Sequence, residues 1–171
     1  MTSPFRIMTV CTGNICRSPM AEVVLKARLA EAGLGDAVEV TSTGVSDEER
    51  GNPIDRRAAV VLRDAGYIVP RRAARRVTAA DLGSADLVLA MTEGHARRLR
   101  VLTDRPVVRL YREFDPEAPA LIEGREQDLD IDDPWYGGIE DFRVTLAQVE
   151  AGAGGVVAAV REALTGAVDP R

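Results

Sequence analysis

Length, composition and charge limit what this chain can be. Its 171 residues, of which 46% are hydrophobic, suffice for one domain with a sizeable core, and we predict a single domain over residues 1–171. The formal net charge of −5 argues against general nucleic-acid binding. No apolar run is long enough to span a membrane and no secretory signal pattern is present, so we expect no membrane association and a cytoplasmic location.

Apolar segments alternate with helical segments along the chain. Strands are predicted at 5–10, 37–43, 85–91 and 106–111, and helices at 20–32, 56–65 and 92–102, followed by a long C-terminal helix. This alternation indicates βαβ units. We therefore predict an α/β fold, with a four-stranded parallel sheet and helices on both faces, of the flavodoxin-like kind.

The C-terminal helix has the clearest helical periodicity. Apolar residues recur every three or four positions and predict a core-facing stripe made of Phe142, Leu146, Val149, Ala153, Val156, Val160 and Leu164. Three glycines, Gly152, Gly154 and Gly155, interrupt this helix. Each weakens a helix by about 1 kcal/mol relative to alanine, so we expect a bend there.

The segment that follows the first strand predicts an oxyanion site. Cys11 and Arg17 are separated by five residues, among them Gly13 and Asn14, which tolerate positive φ and let backbone N–H groups turn inward. Arg17 adds a planar fork of donors that can bind two phosphate oxygens. This positive potential favours the nucleophilic thiolate of Cys11. The loop is expected to bind phosphate or sulfate.

A helix start next to this loop strengthens the prediction. Ser18 and Pro19 are the residue types favoured at the N-cap and at the first helical position. The helix would present unpaired N–H groups and the positive end of its dipole to the bound anion. The alternative is a tight Gly-Asn turn between strand and helix that happens to hold two cysteines.

Residues 10–22 resemble the signature of the low-molecular-weight protein tyrosine phosphatases, and a second landmark of that family, Asp-Pro-Trp-Tyr-Gly, stands at 133–137. The resemblance implies the phosphotyrosine phosphatase I-like form of the fold. It also implies a cytoplasmic phosphatase that forms a phosphocysteine intermediate without a metal or cofactor, and whose partner is a tyrosine-phosphorylated protein.

The resemblance also implies roles for individual residues. Cys11 is the nucleophile, Arg17 holds the phosphate, and Asp133 is the general acid, while Asn14 and Ser18 support the loop and the thiolate. The phosphate-binding loop then comprises Thr12, Gly13, Asn14, Ile15, Cys16, Arg17 and Ser18. For Asp133 the alternative is a simple turn residue, because Asp-Pro favours turns.

This chain departs from the family pattern at two positions. Glu48 aligns with a tryptophan that forms one wall of the cleft in many members, and Arg72 aligns with a histidine that hydrogen-bonds the loop asparagine. The only histidine, His95, lies elsewhere. We expect these changes to leave the chemistry intact and to alter substrate preference.

Three residues bear on the substrate. Trp135 and Tyr136 are expected to line the cleft beside an aromatic leaving group, with ordinary core packing as the alternative. Ile15 stands where the related protein arginine phosphatases carry threonine. An apolar side chain there, with the aromatic pair, favours phosphotyrosine over phosphoarginine.

Cys16, the second cysteine of the loop, has two interpretations. It is either a resolving thiol that forms a reversible disulfide with oxidised Cys11, or a small buried filler. No cysteine follows Cys16, which argues against the disulfide relay of thioredoxin-coupled arsenate reductases.

Two further features leave alternatives open. The basic cluster Arg71, Arg72, Arg75 and Arg76 is interpreted as a solvated surface, or else as a docking surface for acidic flanks of a phosphoprotein. Glu48 would repel a phosphate dianion if it points into the cleft. It motivates one alternative to the leading prediction of a protein-tyrosine phosphatase, namely an oxyanion-binding or redox-sensing protein with weak turnover. The other alternative is an arginine phosphatase, against which Ile15 argues.

Overall fold

A four-stranded parallel sheet forms the centre of the molecule. The computed structural model describes residues 2–166, so the two predicted domain ends, residues 1 and 171, lie outside the described residues. The strands are β1 (Phe5–Cys11), β2 (Val38–Gly44), β3 (Leu87–Ala90) and β4 (Val108–Leu110), all paired in parallel in the order β2-β1-β3-β4. The predicted four-stranded parallel sheet is confirmed.

Five α-helices connect or follow the strands. They are α1 (Arg17–Glu31), α2 (Arg56–Asp64), α3 (Ala79–Ser84), α4 (Glu93–Leu102) and α5 (Ile139–Thr165), and three short 3-10 helices cover Tyr111–Phe114, Glu126–Leu129 and Pro134–Tyr136. The sequence analysis missed α3 and the 3-10 helices because they are too short to show a period. The available signal for α3 was its capping box, in which Thr78 and Asp81 bond each other's backbone N–H groups.

The helices cover both faces of the sheet, as predicted. Ile7 and Leu89 belong to one buried cluster, with α1, α2 and α5, while Met8 and Val88 belong to a second cluster, with α3 and α4. The alternation along each strand arises because successive strand residues point to opposite faces. Across residues 2–166, no helix combines the length and apolar character that a membrane crossing requires.

The strand order places a crevice at the end of β1. The chain moves from β1 to β2 on one side and then crosses to β3 on the other side, so β1 and β3 flank a topological switch point. Ligands of open α/β sheets bind at this position, beyond the carboxyl ends of the strands. Cys11 is the last residue of β1 and lies at this edge.

The long helix α5 closes one face of the core. Six members of its predicted stripe are buried, whereas Leu164 near the helix end is 42% exposed, so its assignment to the core was wrong. The helix continues without interruption through its glycines. Gly152 packs against the ring of buried Tyr111 and Gly155 against the backbone carbonyl of Phe114, so these two glycines allow close approach.

Substitution by alanine should have opposite effects on stability at Gly155 and at Gly154. A Cβ on Gly155 would overlap the carbonyl of Phe114, whereas a Cβ on Gly154 would meet open space. We expect Gly155→Ala to lower the free energy of unfolding by about 1–3 kcal/mol, and Gly154→Ala to raise it by about 1 kcal/mol through helix propensity. Urea denaturation measures both; equal effects would contradict the packing described here.

Candidate active site

A cavity of about 220 Å³ opens at the carboxyl end of β1. Most of the predicted site residues line it, although they come from distant parts of the chain. The lining residues are Cys11, Thr12, Gly13, Ile15, Cys16, Arg17, Glu48, Glu49, Asp133, Trp135 and Tyr136. Of the predicted set only Asn14 and Ser18 are absent from this lining, and both are fully buried behind the loop. Glu49 is the one lining residue that the sequence analysis did not single out.

The backbone of the loop turns its carbonyl groups outward. Donors from other segments bond four of them: Val45 N donates to Cys11 O (2.9 Å), Ser46 N to Thr12 O (3.0 Å), Arg72 Nη1 to Asn14 O (2.8 Å) and Asp55 N to Ile15 O (2.8 Å). The carbonyl of Cys16 accepts the first hydrogen bond of α1, from Met20 N at 3.1 Å. Within residues 2–166, no backbone N–H from Gly13 to Ser18 donates to a protein acceptor. A run of inward N–H groups that lack a protein acceptor is the donor set of an anion site.

The helix after the loop begins earlier than predicted. Its N-cap is Cys16, which makes no side-chain capping bond, and the helix starts at Arg17, so the assignment of Ser18 as N-cap was wrong. The hydroxyl of Ser18 is engaged elsewhere, and the first N–H groups of α1 therefore remain unpaired. These groups and the positive end of the helix dipole favour a negative charge at this point.

Ser18 instead contacts the cysteine. Its Oγ lies 3.0 Å from the Sγ of buried Cys11 and 3.1 Å from the carbonyl oxygen of Thr43, and it accepts a hydrogen bond from Asn14 Nδ2 at 2.9 Å. The hydroxyl has one hydrogen to share between the sulfur and the carbonyl. Donation to Thr43 suits a protonated thiol, while donation to sulfur stabilises a thiolate. The predicted support of the thiolate by Ser18 has the required geometry.

Arg17 is buried beneath the cavity. Its Nη1 donates to Ile131 O at 2.9 Å, and its Nη2 lies 3.3 Å from Thr12 Oγ1 and 3.2 Å from a carboxylate oxygen of Asp133. The Nε of Arg17 is buried and bonds no group among the described residues. A buried guanidinium N–H without a partner indicates a site that an anion completes.

Asp133 both forms the predicted turn and faces the cavity. One carboxylate oxygen accepts from Trp135 N at 3.1 Å, while the other pairs with Arg17. Arg57, at the start of α2, donates to the carbonyl groups of Trp135 (3.2 Å) and Gly137 (2.9 Å) and so holds this segment against the rest of the fold. Arg57 is a positioning residue that the sequence analysis missed, since no local pattern connects it to a segment eighty positions away.

The aromatic pair lies at the cavity mouth. Trp135 is 49% exposed and Tyr136 is 83% exposed, so ordinary core packing is excluded for both side chains. Their rings meet edge to face, with centroids 5.1 Å apart. An exposed aromatic pair beside a buried thiol offers a surface on which an aromatic group can stack.

Asn14 is the centre of the loop's support. It has a φ of 60°, the only non-glycine residue of the described chain in the left-handed region. Its Oδ1 accepts from Arg72 Nη2 and from Arg75 N (3.1 Å), and its Nδ2 donates to Ser18 Oγ and to Ser42 Oγ (3.0 Å). Every hydrogen-bonding position of this amide is filled, which locks the loop in its left-handed turn.

Arg72 occupies the position where the family resemblance leads one to expect a histidine. Its guanidinium reaches both the carbonyl and the side chain of Asn14, so arginine reproduces the expected contact. Arg75 pairs with Asp81 at 2.8 Å. Arg72 and Arg75 are therefore engaged within the protein, although Arg75 stays exposed together with Arg71 and Arg76.

His95, which the sequence analysis set aside, contacts the loop. It lies in the first turn of α4, after β3, and its Nε2 is 2.8 Å from Thr12 Oγ1. Burial, with the nearby cations of Arg17 and Arg98, lowers the pKa of His95 to about 3, so the ring is neutral at physiological pH. Position in the sequence was the signal that could have identified His95, because Thr92 caps a helix that begins after β3, the strand paired with β1.

Cys16 is a free, buried thiol, as is Cys11. Burial, reinforced by the negative charge of Asp55, raises the pKa of Cys16, so this thiol is protonated at neutral pH. A protonated thiol is a slow attacking group. The role of Cys16 as a resolving thiol stays a prediction, and mass spectrometry after peroxide treatment, which separates a disulfide from a sulfinic acid, distinguishes it from the packing alternative.

The fold and the site together define a class of protein: an α/β protein with a cysteine-based oxyanion site at the switch point of a parallel sheet. The family model described as low molecular weight phosphotyrosine protein phosphatase matches residues 6–165. The low molecular weight protein-tyrosine-phosphatase of Streptomyces coelicolor is 45% identical over 166 residues, which cover 95% of this chain and 97% of that protein. This chain belongs to the low molecular weight phosphotyrosine protein phosphatase family.

Solved structures agree in fold. A protein tyrosine phosphatase from Entamoeba histolytica with Hepes in its active site matches with a TM-score of 0.84 at 24% identity, over 93% of this chain and 98% of that one. The YwlE arginine phosphatase, in a mutant with a phosphorylated active-site serine, matches with a TM-score of 0.76 at 27% identity, over 92% and 97% of the two chains. The fold is therefore shared by phosphatases named for different phosphorylated residues.

Loss of the Arg72 side chain should loosen the loop. We expect Arg72→Ala to lower kcat/KM for an aryl phosphate about tenfold or more, because Asn14 then loses two hydrogen bonds and the donors around the thiol lose their alignment. Arg71→Ala is the matched control, because Arg71 is exposed and its substitution removes the same charge from the same segment. Steady-state kinetics measure both, and equal losses would show that charge alone matters.

His95 should make the protein less stable in acid. Its pKa is about 3 in the folded state against an ordinary value of 6.5, so between these values the unfolded chain binds a proton that the folded protein excludes. The free energy of unfolding therefore falls as pH decreases through this window. We expect His95→Gln to reduce that slope by up to about 1.4 kcal/mol per pH unit, measured by urea denaturation across the window. An unchanged slope would contradict a neutral, buried His95.

Proposed function

We propose that this chain is a protein-tyrosine phosphatase that hydrolyses phosphotyrosine and aryl phosphates through a phosphocysteine intermediate. The observation that carries the proposal is the meeting of three groups in one cavity: the Cys11 thiol, the Arg17 guanidinium and the Asp133 carboxylate. Family membership and the names of the relatives support the same reaction.

The first step transfers the phosphoryl group to sulfur. The Cys11 thiolate attacks phosphorus as the bond from phosphorus to the tyrosyl oxygen breaks, and protonated Asp133 gives its proton to the departing phenolate. The inward N–H groups from Gly13 to Ser18, with Arg17, stabilise the equatorial oxygens of the transferring group. Arg17 already contacts Asp133 at 3.2 Å, so a bound phosphate competes with that carboxylate for the guanidinium.

The second step returns the enzyme to its starting state. The Asp133 carboxylate takes a proton from a water molecule, whose oxygen attacks phosphorus as the bond from phosphorus to sulfur breaks. Inorganic phosphate and the Cys11 thiolate are the products. Ser18 lies 3.0 Å from the sulfur and can donate its hydroxyl hydrogen to the thiolate as it forms.

Phosphotyrosine is the substrate that the cavity lining favours. The aromatic pair Trp135 and Tyr136 lies at the mouth, and Ile15 contributes an apolar wall. Phosphoarginine is the second candidate, because the YwlE arginine phosphatase shares the fold and because Glu48 and Glu49 line the same cavity. A protein that binds oxyanions with little turnover is a third outcome of the same experiment.

The decisive experiment compares phosphate release from a phosphotyrosine peptide and a matched phosphoarginine peptide. We expect rapid release from phosphotyrosine that Cys11→Ser abolishes. We further expect Asp133→Asn to slow hydrolysis of phenyl phosphate by about 10²–10⁴-fold and to leave inhibition by inorganic phosphate nearly unchanged. Asp132→Asn is the matched control, since this exposed neighbour lies outside the cavity.

Each other result has a distinct meaning. Release mainly from phosphoarginine would replace the proposed substrate, and phosphate binding without release from either peptide would replace catalysis by an oxyanion-binding role. An effect of Asp132→Asn equal to that of Asp133→Asn would remove Asp133 from the mechanism. A cytoplasmic location is part of the proposal and is tested by fractionation of the source cell.

A further inference from the structure

The cavity has opposite charges at its base and at its rim. Among residues 2–166, Arg17 is the only cationic side chain that lines it, and that residue is buried at the base. Glu48 and Glu49 line the wall, together with the general-acid candidate Asp133. The buried, unpartnered Nε of Arg17 independently marks the base as an anion site. A substrate that fits this cavity therefore carries negative charge at its tip and meets carboxylates further out.

The position of Glu49 is set by packing. A Cβ placed on Gly13 would lie 2.9 Å from Glu49 Cγ, so the glutamate side chain rests directly on the phosphate-binding loop. Asn52 Nδ2 donates to Glu49 Oε2 at 2.7 Å and orients the carboxylate without neutralising it. Glu49 is therefore a fixed negative charge beside the loop.

Glu48 is exposed and free to meet a ligand. No ion pair of residues 2–166 includes either Glu48 or Glu49. Arg57, at the start of α2, is already bound to Asp55 and to two backbone carbonyl groups, and exposed Arg50, which follows Glu49 in the chain, forms no ion pair within residues 2–166. The two carboxylates thus have no ion-pair partner among residues 2–166, unlike Glu22, Glu39 and Glu113.

We propose that Glu48 and Glu49 select phosphotyrosine sites flanked by lysine or arginine. The proposal rests on the proposed function. With the phosphate at the base, the tyrosyl ring spans the cavity, and the residues next to phosphotyrosine lie at the rim beside the two carboxylates. A lysine or arginine there forms ion pairs with them, whereas a glutamate or aspartate is repelled.

The expected size of the effect follows from exposed ion pairs. Each contributes a factor of about 1.5 to 5 in binding, and repulsion of an acidic flank adds a similar factor in the opposite direction. We therefore expect kcat/KM for a peptide with lysine on both sides of phosphotyrosine to exceed that for the matched glutamate peptide about tenfold. The ratio should decrease at high ionic strength, because screening weakens exposed pairs.

The test compares this ratio in three proteins. The double variant Glu48→Gln/Glu49→Gln keeps the side-chain shapes and the hydrogen bond from Asn52, and we expect its ratio to fall to about two or below. The double variant Glu123→Gln/Glu162→Gln is the matched control for net charge, since both residues are exposed and neither lines the cavity. Its ratio should equal that of the unaltered protein.

The outcomes separate this inference from the proposed function. A ratio near one in the unaltered protein, or an equal ratio in the double variant, would overturn the selection of basic flanks while Cys11-dependent hydrolysis of phenyl phosphate still stood. Absence of that hydrolysis would refute the proposed function itself. If the protein prefers a phosphoarginine peptide and the double variant loses that preference, the two carboxylates recognise the phosphorylated residue itself. That result would overturn selection of the flanks.

Discussion

The structure depends on a set of hydrogen-bond donors in the phosphate-binding loop that have no acceptor within the described part of the protein. From Gly13 to Ser18 the backbone N–H groups lack protein acceptors, and the Nε of Arg17 is buried without a partner. Buried donors without acceptors cost free energy, so the chain would rearrange to satisfy them if nothing prevented it. The surrounding elements prevent it by occupying the outward carbonyl groups of the same peptides. An anion that enters the loop then gains donors already oriented toward it.

Support for this arrangement comes from three separate parts of the fold. The segment after β2 donates backbone N–H groups to Cys11 and Thr12, the start of α2 donates to Ile15, and Arg72 donates to Asn14. Asn14 needs this support because its φ of 60° costs free energy in a residue other than glycine. Arginine in place of the histidine expected there keeps the contact and adds a permanent positive charge behind the loop.

Charge varies with depth in the cavity, with the cation of Arg17 buried at the base and the carboxylates of Glu48 and Glu49 further out. At the base the helix dipole, the loop amides and Arg17 act on any phosphate, while neutral His95 contacts the loop through Thr12 without adding charge. At the rim Glu48 and Glu49 act on whatever surrounds the phosphate. Glu48, which the family resemblance aligns with a tryptophan, therefore bears on the rim and not on the base.

Local patterns in the sequence determined much of this protein. The apolar strands and the first, second and fourth helices were predicted close to their observed bounds, because their periodicity and caps are local properties. The two motifs at 10–22 and 133–137 predicted Cys11, Arg17 and Asp133, and the structure brings these three residues to one cavity. The errors were also local: Ser18 was assigned as an N-cap because the sequence gives no sign that its hydroxyl is needed by Cys11 and Thr43.

Tertiary structure decided what the distant segments do to each other. His95 contacts Thr12, and Arg57 donates to the carbonyl of Gly137 in the segment that carries Asp133; both contacts join residues about eighty positions apart. Glu49 reaches the site because its side chain packs on Gly13. Gly152 and Gly155 weaken a helix when considered alone, yet in the fold they admit Tyr111 and Phe114. Composition and spacing record which groups are available, whereas the crossing of the chain at the β1–β3 switch point determines which groups meet.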